Sequence, residues 1–318
     1  VTQGLTLSGA LTGSTGFTKT GNGTLVLGAD NSASLTGTIA VSQGVVSVSA
    51  DNQLGAGANP VTVNATTSTA GLRATGSFTL NSARVVSFTN ATAANNRLEV
   101  AGGSALTIGT GTNLNVGAAT GFIKAENGIL IMNADTSVAN GLAGTVTVNA
   151  GAIRLQNASG LGTTALGTTV GNFVGAALQI DGGAGGLTIA EPLTLNNTGI
   201  NSAGALQSLA GAGTNIYTGV ITLASASTIG ADSGSVLEIR GGIAGGQALT
   251  LNAAGTINFT TTALAAALPT SITKIGAGTV NLQVASGTYT GNLTVNQGTF
   301  SINGAGTIGG TGTIVVNP

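Results

Sequence analysis

The 318-residue chain contains no cysteine, no histidine and no tryptophan, and only four prolines. Without cysteine, no disulfide can stabilise the fold, and without cysteine and histidine the usual ligands of zinc are missing. Histidine is also the usual general base of nucleophilic catalysis, so a histidine-dependent triad is excluded. We therefore predict no catalytic, metal-binding or cofactor-binding residues, and we expect that the chain is not an enzyme.

Charge is also scarce. Charged residues make up 5% of the chain, against about 25% in an ordinary soluble domain. Eight lysines and arginines cannot form a basic stripe, so nucleic acid is not an expected partner. No apolar run approaches the roughly 20 residues of a transmembrane helix. A neutral surface with a net charge of -1 favours self-association.

The residues that are abundant alternate in short runs. An apolar residue is followed by Thr or Ser in Leu5–Leu7, Val61–Val63, Thr145–Val148 and Leu293–Val295. This period of two is typical of half-buried strands, and Gly and Asn between the runs are typical of turns. The one candidate for a helical turn is Leu264–Leu268, which Pro269 ends. The chain is therefore predicted to be all-β.

Internal repetition is the strongest signal in the sequence. Three segments share a lysine, a glycine-containing turn and a later strand pair that contains a second glycine; they lie near 17–48, 122–155 and 272–302. The lysine and the second glycine are Lys19 and Gly44, Lys124 and Gly151, and Lys274 and Gly298, which are 25, 27 and 24 residues apart. Such constant spacing indicates one structural unit used three times.

Short strands, turns and repeats together predict a right-handed parallel β-helix, or β-solenoid. We expect residues 1–318 to form a single continuous solenoid domain. At about 20 residues per rung the chain would have about 15 rungs. The two end rungs would then carry open strand edges, which invite pairing.

The three segments resemble the autotransporter passenger-associated strand repeat, whose pattern is Lys-Thr-Gly-x-Gly-Thr-Leu-x-Leu, a gap, and then Tyr-Thr-Gly-x-x-x-Val-x-x-Gly-x-Leu. The copies at Lys19 and Lys274 are close to it, whereas the copy at Lys124 has Ala125-Glu126 in place of Thr-Gly. The resemblance implies a surface-displayed bacterial β-helix, such as an adhesin or a stalk. Proteins with this repeat normally carry a C-terminal outer-membrane barrel, and the sequence up to Pro318 contains none. We expect either that the barrel was removed or that the chain reaches the surface in another way.

Some residues invite a chemical interpretation. Lys19, Lys124 or Lys274 could activate a serine, but a catalytic site is usually unique, and we expect these repeated lysines to extend to water. Asp232, Glu238 and Arg240 lie close in sequence, and Glu238 and Arg240 share one face of a predicted strand. A surface ion pair is the expected outcome, with a carboxylate-based glycosidase or lyase as the alternative.

Two glycine-rich stretches match binding motifs in part. Gly182–Leu187 has the glycines of a calcium-binding repeat without its aspartate, so hard oxygen ligands are missing. Gly304–Gly309 fits a dinucleotide fingerprint by its letters, but no helix follows it. We interpret both as turns between rungs. The triplets at Asn64 and Asn90 match glycosylation acceptors by chance, and we expect asparagines to stack in amide ladders at turns instead.

Two functional hypotheses follow. In the first, the chain is a structural subunit of an extracellular bacterial fibre or surface layer that assembles head-to-tail with copies of itself through open solenoid ends. Residues 1–11 would then act as a donated strand. In the second, it is an autotransporter-like passenger, a monomeric adhesin or spacer whose partners include cell-surface or matrix glycans. Both place it outside a Gram-negative cell, and the start at Val1–Gly4 suits a processed or trimmed chain.

Overall fold

A computed structural model describes residues 3–65, 68–111, 113–117, 120–138, 141–211, 213–261, 269–286, 289–303, 307–308 and 312–318. The candidate helical turn Leu264–Leu268 and most of the motif Gly304–Gly309 lie outside these residues. The chain divides into two compact units, Val1–Ile153 with Ser159–Leu166, and Arg154–Ala158 with Gly167–Pro318.

The first unit consists of short strands and two single-turn 3-10 helices, Asp51–Leu54 and Ala93–Asn95. Its strands, the last of which crosses into the second unit, are β1 (Gly4–Leu7), β2 (Gly16–Lys19), β3 (Thr24–Leu27), β4 (Thr38–Val41), β5 (Gly44–Val48), β6 (Val61–Val63), β7 (Ala70–Ala74), β8 (Phe78–Thr79), β9 (Val85–Phe88), β10 (Asn96–Val100), β11 (Ala105–Ile108), β12 (Asn113–Val116), β13 (Gly121–Ala125), β14 (Ile129–Met132), β15 (Thr145–Val148) and β16 (Gly151–Leu155).

These strands form parallel ladders in which each strand pairs with the strand one turn later. One ladder runs β1-β3-β5-β7-β10-β13-β15. A second runs β2-β4-β6-β9-β12, and a third runs β8-β11-β14. The pairing between consecutive turns is the defining feature of a β-solenoid.

The second unit has the same construction, with 3-10 turns at Gly183–Gly185 and Ile200–Ser202. Its further strands are β17 (Thr168–Val170), β18 (Ala176–Ile180), β19 (Thr188–Ile189), β20 (Leu193–Asn197), β21 (Leu206–Ser208), β22 (Thr214–Tyr217), β23 (Ile221–Ala231), β24 (Val236–Ile239), β25 (Ile243–Ala244), β26 (Ala248–Ala253), β27 (Thr256–Phe259), β28 (Ser271–Ile275), β29 (Thr279–Leu282), β30 (Ala285–Ser286), β31 (Asn292–Val295), β32 (Thr299–Ile302), β33 (Thr307–Ile308) and β34 (Ile314–Val316).

Parallel ladders again connect successive turns. One runs β19-β22-β24-β27-β29-β32, and another runs β18-β21-β23-β26-β28-β31-β34. The first residues of the long strand β23 also pair with β20 and β25, so β23 belongs to two ladders. β17 pairs with β20, and β30 pairs with β33.

The prediction of an all-β parallel solenoid is confirmed, but the number of turns is about 12 rather than 15. Paired residues show why. Gly4 pairs with Thr24, which is a turn of 20 residues, whereas Ala70 pairs with Asn96 and Leu193 with Ile221, which are turns of 26 and 28 residues. The corners carry insertions of different length, so a fixed period of about 20 residues underestimates the turn.

The interior consists of columns of apolar side chains, one from each turn. Val46, Leu72 and Leu98 are in register and fully buried in the first unit, and Leu237, Ile257 and Val280 form such a column in the second. The residues on either side of Leu237, Ile257 and Val280 in their strands are only half-buried. The rings of Phe88 and Phe122 stack with centroids 5.2 Å apart. Among the described residues no helix has the length and hydrophobicity needed to cross a bilayer.

We expect Leu72→Ala to lower the free energy of unfolding by about 2–5 kcal/mol, because Leu72 is fully buried between Val46 and Leu98 and the shorter side chain leaves a cavity there. Thr62→Ala, on the outward face of β6, should change it by less than about 1 kcal/mol. Urea unfolding followed by circular dichroism measures both values. Equal effects of the two substitutions would contradict the inward and outward assignment.

Candidate functional site

The repeated lysines lie at corners of the solenoid, where a strand ends and the chain turns. Lys124 is the last residue but one of β13, before Ala125, and its side chain is fully buried. Its Nζ donates to the carbonyl oxygens of Glu126 at 2.5 Å and Gly128 at 2.6 Å in its own turn, and of Ala150 at 2.8 Å in the next turn. An ammonium group has three donors, and each of them has an acceptor here.

Lys274 and Lys19 repeat this geometry. Lys274 is fully buried and donates to Ile275 at 2.8 Å and Gly276 at 2.5 Å in its own turn, and to Gln297 at 3.1 Å one turn later. Lys19 is partly exposed, and its acceptors are the carbonyl oxygens of Thr20 at 2.9 Å, Gly21 at 2.5 Å and Gln43 at 3.1 Å.

The second glycine of each segment follows the carbonyl that the lysine reaches in the next turn. Gly44, Gly151 and Gly298 have φ angles of 67°, 62° and 73°, which disfavour any residue with a side chain. A Cβ atom on them would lie 2.2, 2.2 and 2.4 Å from a carbonyl oxygen of the preceding turn. We call this arrangement the lysine corner: Lys19–Gly23 with Gly44, Lys124–Gly128 with Gly151, and Lys274–Gly278 with Gly298.

The burial of these lysines corrects one prediction from the sequence. We expected the lysines to extend to water, but Lys124 and Lys274 are enclosed and bonded to backbone carbonyls. A signal for this was present, because Phe122 and Ile272 each precede a lysine by two residues and therefore face the same side of the strand. Both side chains are buried, and the lysines follow them inwards.

Burial also changes the acid–base chemistry of the lysines. It lowers the pKa of Lys124 to about 7, from an ordinary value of 10.5. It lowers the pKa of Lys274 and that of Lys19 as well. Lys124 and Lys274 are enclosed by backbone atoms, and the same type of contact to backbone carbonyls occurs in all three copies.

The second lysine corner departs from the others at its turn. Glu126 has a φ of 62°, where Gly21 and Gly276 stand in the other copies with φ angles of 74° and 80°. Its carboxylate forms a two-bond ion pair with Arg73, with Nη2–Oε1 at 2.9 Å and Nε–Oε2 at 3.0 Å. Glu99 lies close by, and burial and the charge of Glu126 raise its pKa.

The three charged residues singled out from the sequence do not form one cluster. Arg240 Nε donates to Glu238 Oε1 at 2.8 Å, as the shared strand face predicted, and this bond lowers the pKa of Glu238. Asp232 is bonded elsewhere, because its carboxylate accepts from Gln207 Nε2 at 2.8 Å and from the backbone N–H of Ala210 at 3.2 Å. A pair of cooperating acids is therefore not assembled from Asp232 and Glu238.

Asp232 instead ends a polar ladder that the sequence analysis missed. Arg154 donates to Gln179 Oε1 at 3.0 Å, Gln179 donates to Gln207 at 3.0 Å, and Gln207 donates to Asp232. Both glutamines are buried. The ladder has a cation at one end and an anion at the other, so all its dipoles point the same way and strengthen one another. Its members are 25 to 28 residues apart, so only the register reveals them.

A buried ion pair was also missed. The Arg84 side chain is fully buried, and its Nε and Nη2 bond to Asp51 Oδ1 at 2.8 Å and Oδ2 at 3.0 Å. Its Nη1 donates to the carbonyl oxygens of Leu54 at 3.2 Å and Asn59 at 2.8 Å. Arg84 and Asp51 are 33 residues apart in the sequence. Arg84 lies in the segment between β8 and β9, and its bonds connect this segment to the preceding turn.

The remaining motifs lie at corners or in strands. Gly182–Leu187 contains the 3-10 turn Gly183–Gly185. Asparagine side chains bond between turns in the second unit, where Asn281 Nδ2 donates to Asn258 Oδ1 at 2.8 Å and Asn303 Nδ2 donates to Asn281 Oδ1 at 3.4 Å. Asn258 and Asn281 lie in strands, not at the turns where we expected such ladders. Asn90 donates to the carbonyl oxygen of Ala65. Among the described residues, no group of three or more Asp and Glu side chains has the geometry to hold a metal ion.

The first turn contains two cavities of about 400 and 290 Å³. The larger is lined by Lys19 and by the polar backbone around Gly21 and Gly23, and the smaller is lined by apolar side chains. These apolar residues are Leu5, Leu7, Leu11, Phe17, Leu25 and Leu35. Leu5 is 58% exposed.

We expect Lys124→Met to lower the free energy of unfolding by about 1–3 kcal/mol at about pH 5, where the amine is protonated, because three carbonyl oxygens lose their donor in a buried corner. Lys19→Met should cost less, because Lys19 is partly exposed and water can replace its amine. Urea unfolding of both variants tests this, and an equal loss at the two corners would contradict it.

Glu126→Gly should raise the free energy of unfolding by about 0.5–1 kcal/mol, because a left-handed backbone costs less for glycine. The measurement uses an Arg73→Ala background, in which the ion pair to Arg73 is already absent. Glu126→Ala in that background is the control, because it removes the same charge beside Glu99 but keeps the Cβ atom, so the alanine variant should be less stable than the glycine variant. Equal stability of the two variants would show that φ at this position does not limit stability.

Comparison with known families covers the same three segments. Residues 17–48, 122–155 and 272–302 match the family model described as passenger-associated-transport-repeat, and together they make up just under a third of the chain. No curated protein and no solved structure matches the chain. The resemblance found in the sequence is therefore confirmed, and the chain carries three passenger-associated-transport-repeats, each of which contains one lysine corner.

Proposed function

We propose that the protein is a structural subunit of an extracellular bacterial fibre or surface layer, which assembles head-to-tail through the end turns of its solenoid. The repeats and the solenoid fit a passenger-like surface protein. The lysine corners support a structural role, because the lysines that could have served catalysis are bonded to backbone carbonyls. We propose accordingly that the chain is not an enzyme and that it acts outside a Gram-negative cell.

Apolar side chains exposed in the first and last described turns carry the assembly part of the proposal. Leu5 is 58% exposed, and Ile314 and Val316 are 60% and 71% exposed. Among the described residues β1 pairs on one side only, with β3, and β34 on one side only, with β31. A strand edge with an apolar interior beside it can accept a further parallel strand, and we propose residues 1–11 as the donated segment.

The match to the passenger repeat favours a second candidate function. In this alternative the chain is a monomeric adhesin or spacer of an autotransporter-like passenger, and its outer faces contact cell-surface or matrix glycans. The two candidates differ in one measurable property, the state of association of the 318-residue chain. A heterologous end-to-end contact does not close and gives filaments that grow with concentration, whereas a spacer stays monomeric.

We expect the purified chain to form concentration-dependent oligomers in sedimentation velocity and filaments in electron microscopy. Leu5→Asp and Ile314→Asp should each weaken association at least about tenfold, because a charge is placed in an apolar contact. Val174→Asp is the matched control, since Val174 is 96% exposed in a loop away from both turns. A chain that stays monomeric at high concentration, and that is unaffected by deletion of residues 1–12, favours the spacer.

A further inference from the structure

Glu191 is a buried acid at a corner of the second unit. It lies between β19 and β20, and its side chain points inwards with 4% exposure. Oε1 accepts a hydrogen bond from Thr168 Oγ1 at 3.3 Å, whereas Oε2 is buried without a hydrogen-bond partner. Among the described residues, no ion pair involves this carboxyl group. A carboxylate in this position would have neither water nor a cation to compensate its charge.

The elements around Glu191 contribute few polar side chains. Tyr217, at the end of β22, is the titratable group that faces it, and its hydroxyl donates to the backbone carbonyl of Glu191 at 2.8 Å. Burial and the charge of Glu191 raise the pKa of Tyr217 well above its ordinary value, so this hydroxyl stays protonated. β17 contributes the hydroxyl of Thr168, and the start of β20 and the segment Gly219–Val220 contribute no ionisable group.

The backbone around this carboxyl belongs to three successive turns. Thr168 N–H donates to the carbonyl of Pro192 at 2.9 Å, and Leu193 N–H donates to that of Val220 at 2.9 Å. Thr218 N–H donates to the carbonyl of Ile189 at 2.7 Å. The backbone of Gly219 also packs closely against that of Glu191, because a Cβ atom on Gly219 would lie 2.1 Å from the Glu191 carbonyl oxygen. Oε2 of Glu191 is inaccessible to solvent while these inter-turn hydrogen bonds are formed.

We propose that Glu191 is a pH-sensitive latch, which keeps the corner formed by residues 189–193 and 217–220 closed while its carboxyl group is protonated and lets that corner open locally when the proton is lost. Opening would hydrate the carboxylate and expose the backbone groups that join three turns. This proposal concerns the interior of the second unit and does not depend on the assembly proposed above.

The direction of the pH dependence follows from the two protonation states. Burial raises the pKa of Glu191 to about 7, from an ordinary value of 4.5. Between these values the closed corner holds a proton that the open corner releases, so opening becomes easier as the pH rises from about 4.5 to about 7. Above about 7 both forms are ionised, and the tendency to open becomes constant.

Hydrogen–deuterium exchange with mass spectrometry tests the latch in the full chain. The measured peptides cover β19–β20 and Thr214–Ile221, and each rate is divided by the intrinsic exchange rate at that pH. The fraction open should rise up to about tenfold per pH unit between roughly pH 5 and 7 and then level off. Peptides of β5 and β7 in the first unit should show no such rise.

Three variants separate the latch from a general loss of stability. Glu191→Gln should abolish the pH dependence, because the amide cannot ionise. Asp181→Asn is the matched control, since Asp181 is a carboxylate of the same unit that bonds to Gln156 at 3.0 Å, and it should leave the dependence unchanged. Tyr217→Phe removes the hydroxyl that donates to the Glu191 carbonyl, so it should increase opening at every pH without changing how steeply opening depends on pH.

Two results would overturn the proposal: the same pH dependence in Glu191→Gln as in the wild-type chain, or exchange in the wild-type corner that does not change with pH. If Glu191→Gln does not fold, the wild-type chain labelled with 13C at its glutamate carboxyls provides a second test. The chain has four glutamates, Glu99, Glu126, Glu191 and Glu238. Should none of the four titrate above about pH 6, the latch does not exist.

Discussion

Backbone hydrogen bonds between successive turns are the interaction on which the remaining structure depends. Each strand satisfies its N–H and C=O groups with the strands one turn before and one turn after, so a chain with few large side chains can still be ordered. The interior then needs only one small apolar residue per turn in each column. This explains how a sequence with 3% aromatic residues and 54 glycines specifies a regular fold.

The same constraint makes the corners the difficult part of the fold. Strands can pair along their length, but at a corner the carbonyl groups point away from the ladders and still need donors. In the lysine corner a single side chain supplies these donors, because the amine donates to carbonyl oxygens of two turns at once. Arg84 also donates to backbone carbonyls, those of Leu54 and Asn59 in the preceding turn, and the Tyr217 hydroxyl donates to that of Glu191. Half of the eight cations of this chain, the three lysines and Arg84, are thus used to satisfy backbone carbonyl groups.

Much of the fold could be predicted because its signals are local. The alternation in Val61–Val63 and Leu293–Val295 predicted strands, and the repeated lysine and glycine spacing predicted reused units. The number of turns could not be predicted, because it depends on insertions at corners that leave no periodic trace.

The polar contacts were still harder to predict. Arg84 with Asp51, and Gln179 with Gln207, are brought together only by the register of one turn on the next, which a single sequence does not contain.

The two lysine corners of the first unit lie on different ladders. Lys19 belongs to the ladder of β2 and β4, whereas Lys124 belongs to that of β13 and β15. A duplicated copy of this segment therefore need not be separated from its parent by a whole number of turns. The same module therefore fits at least two sides of a solenoid, and adding a copy does not require adding a whole number of turns.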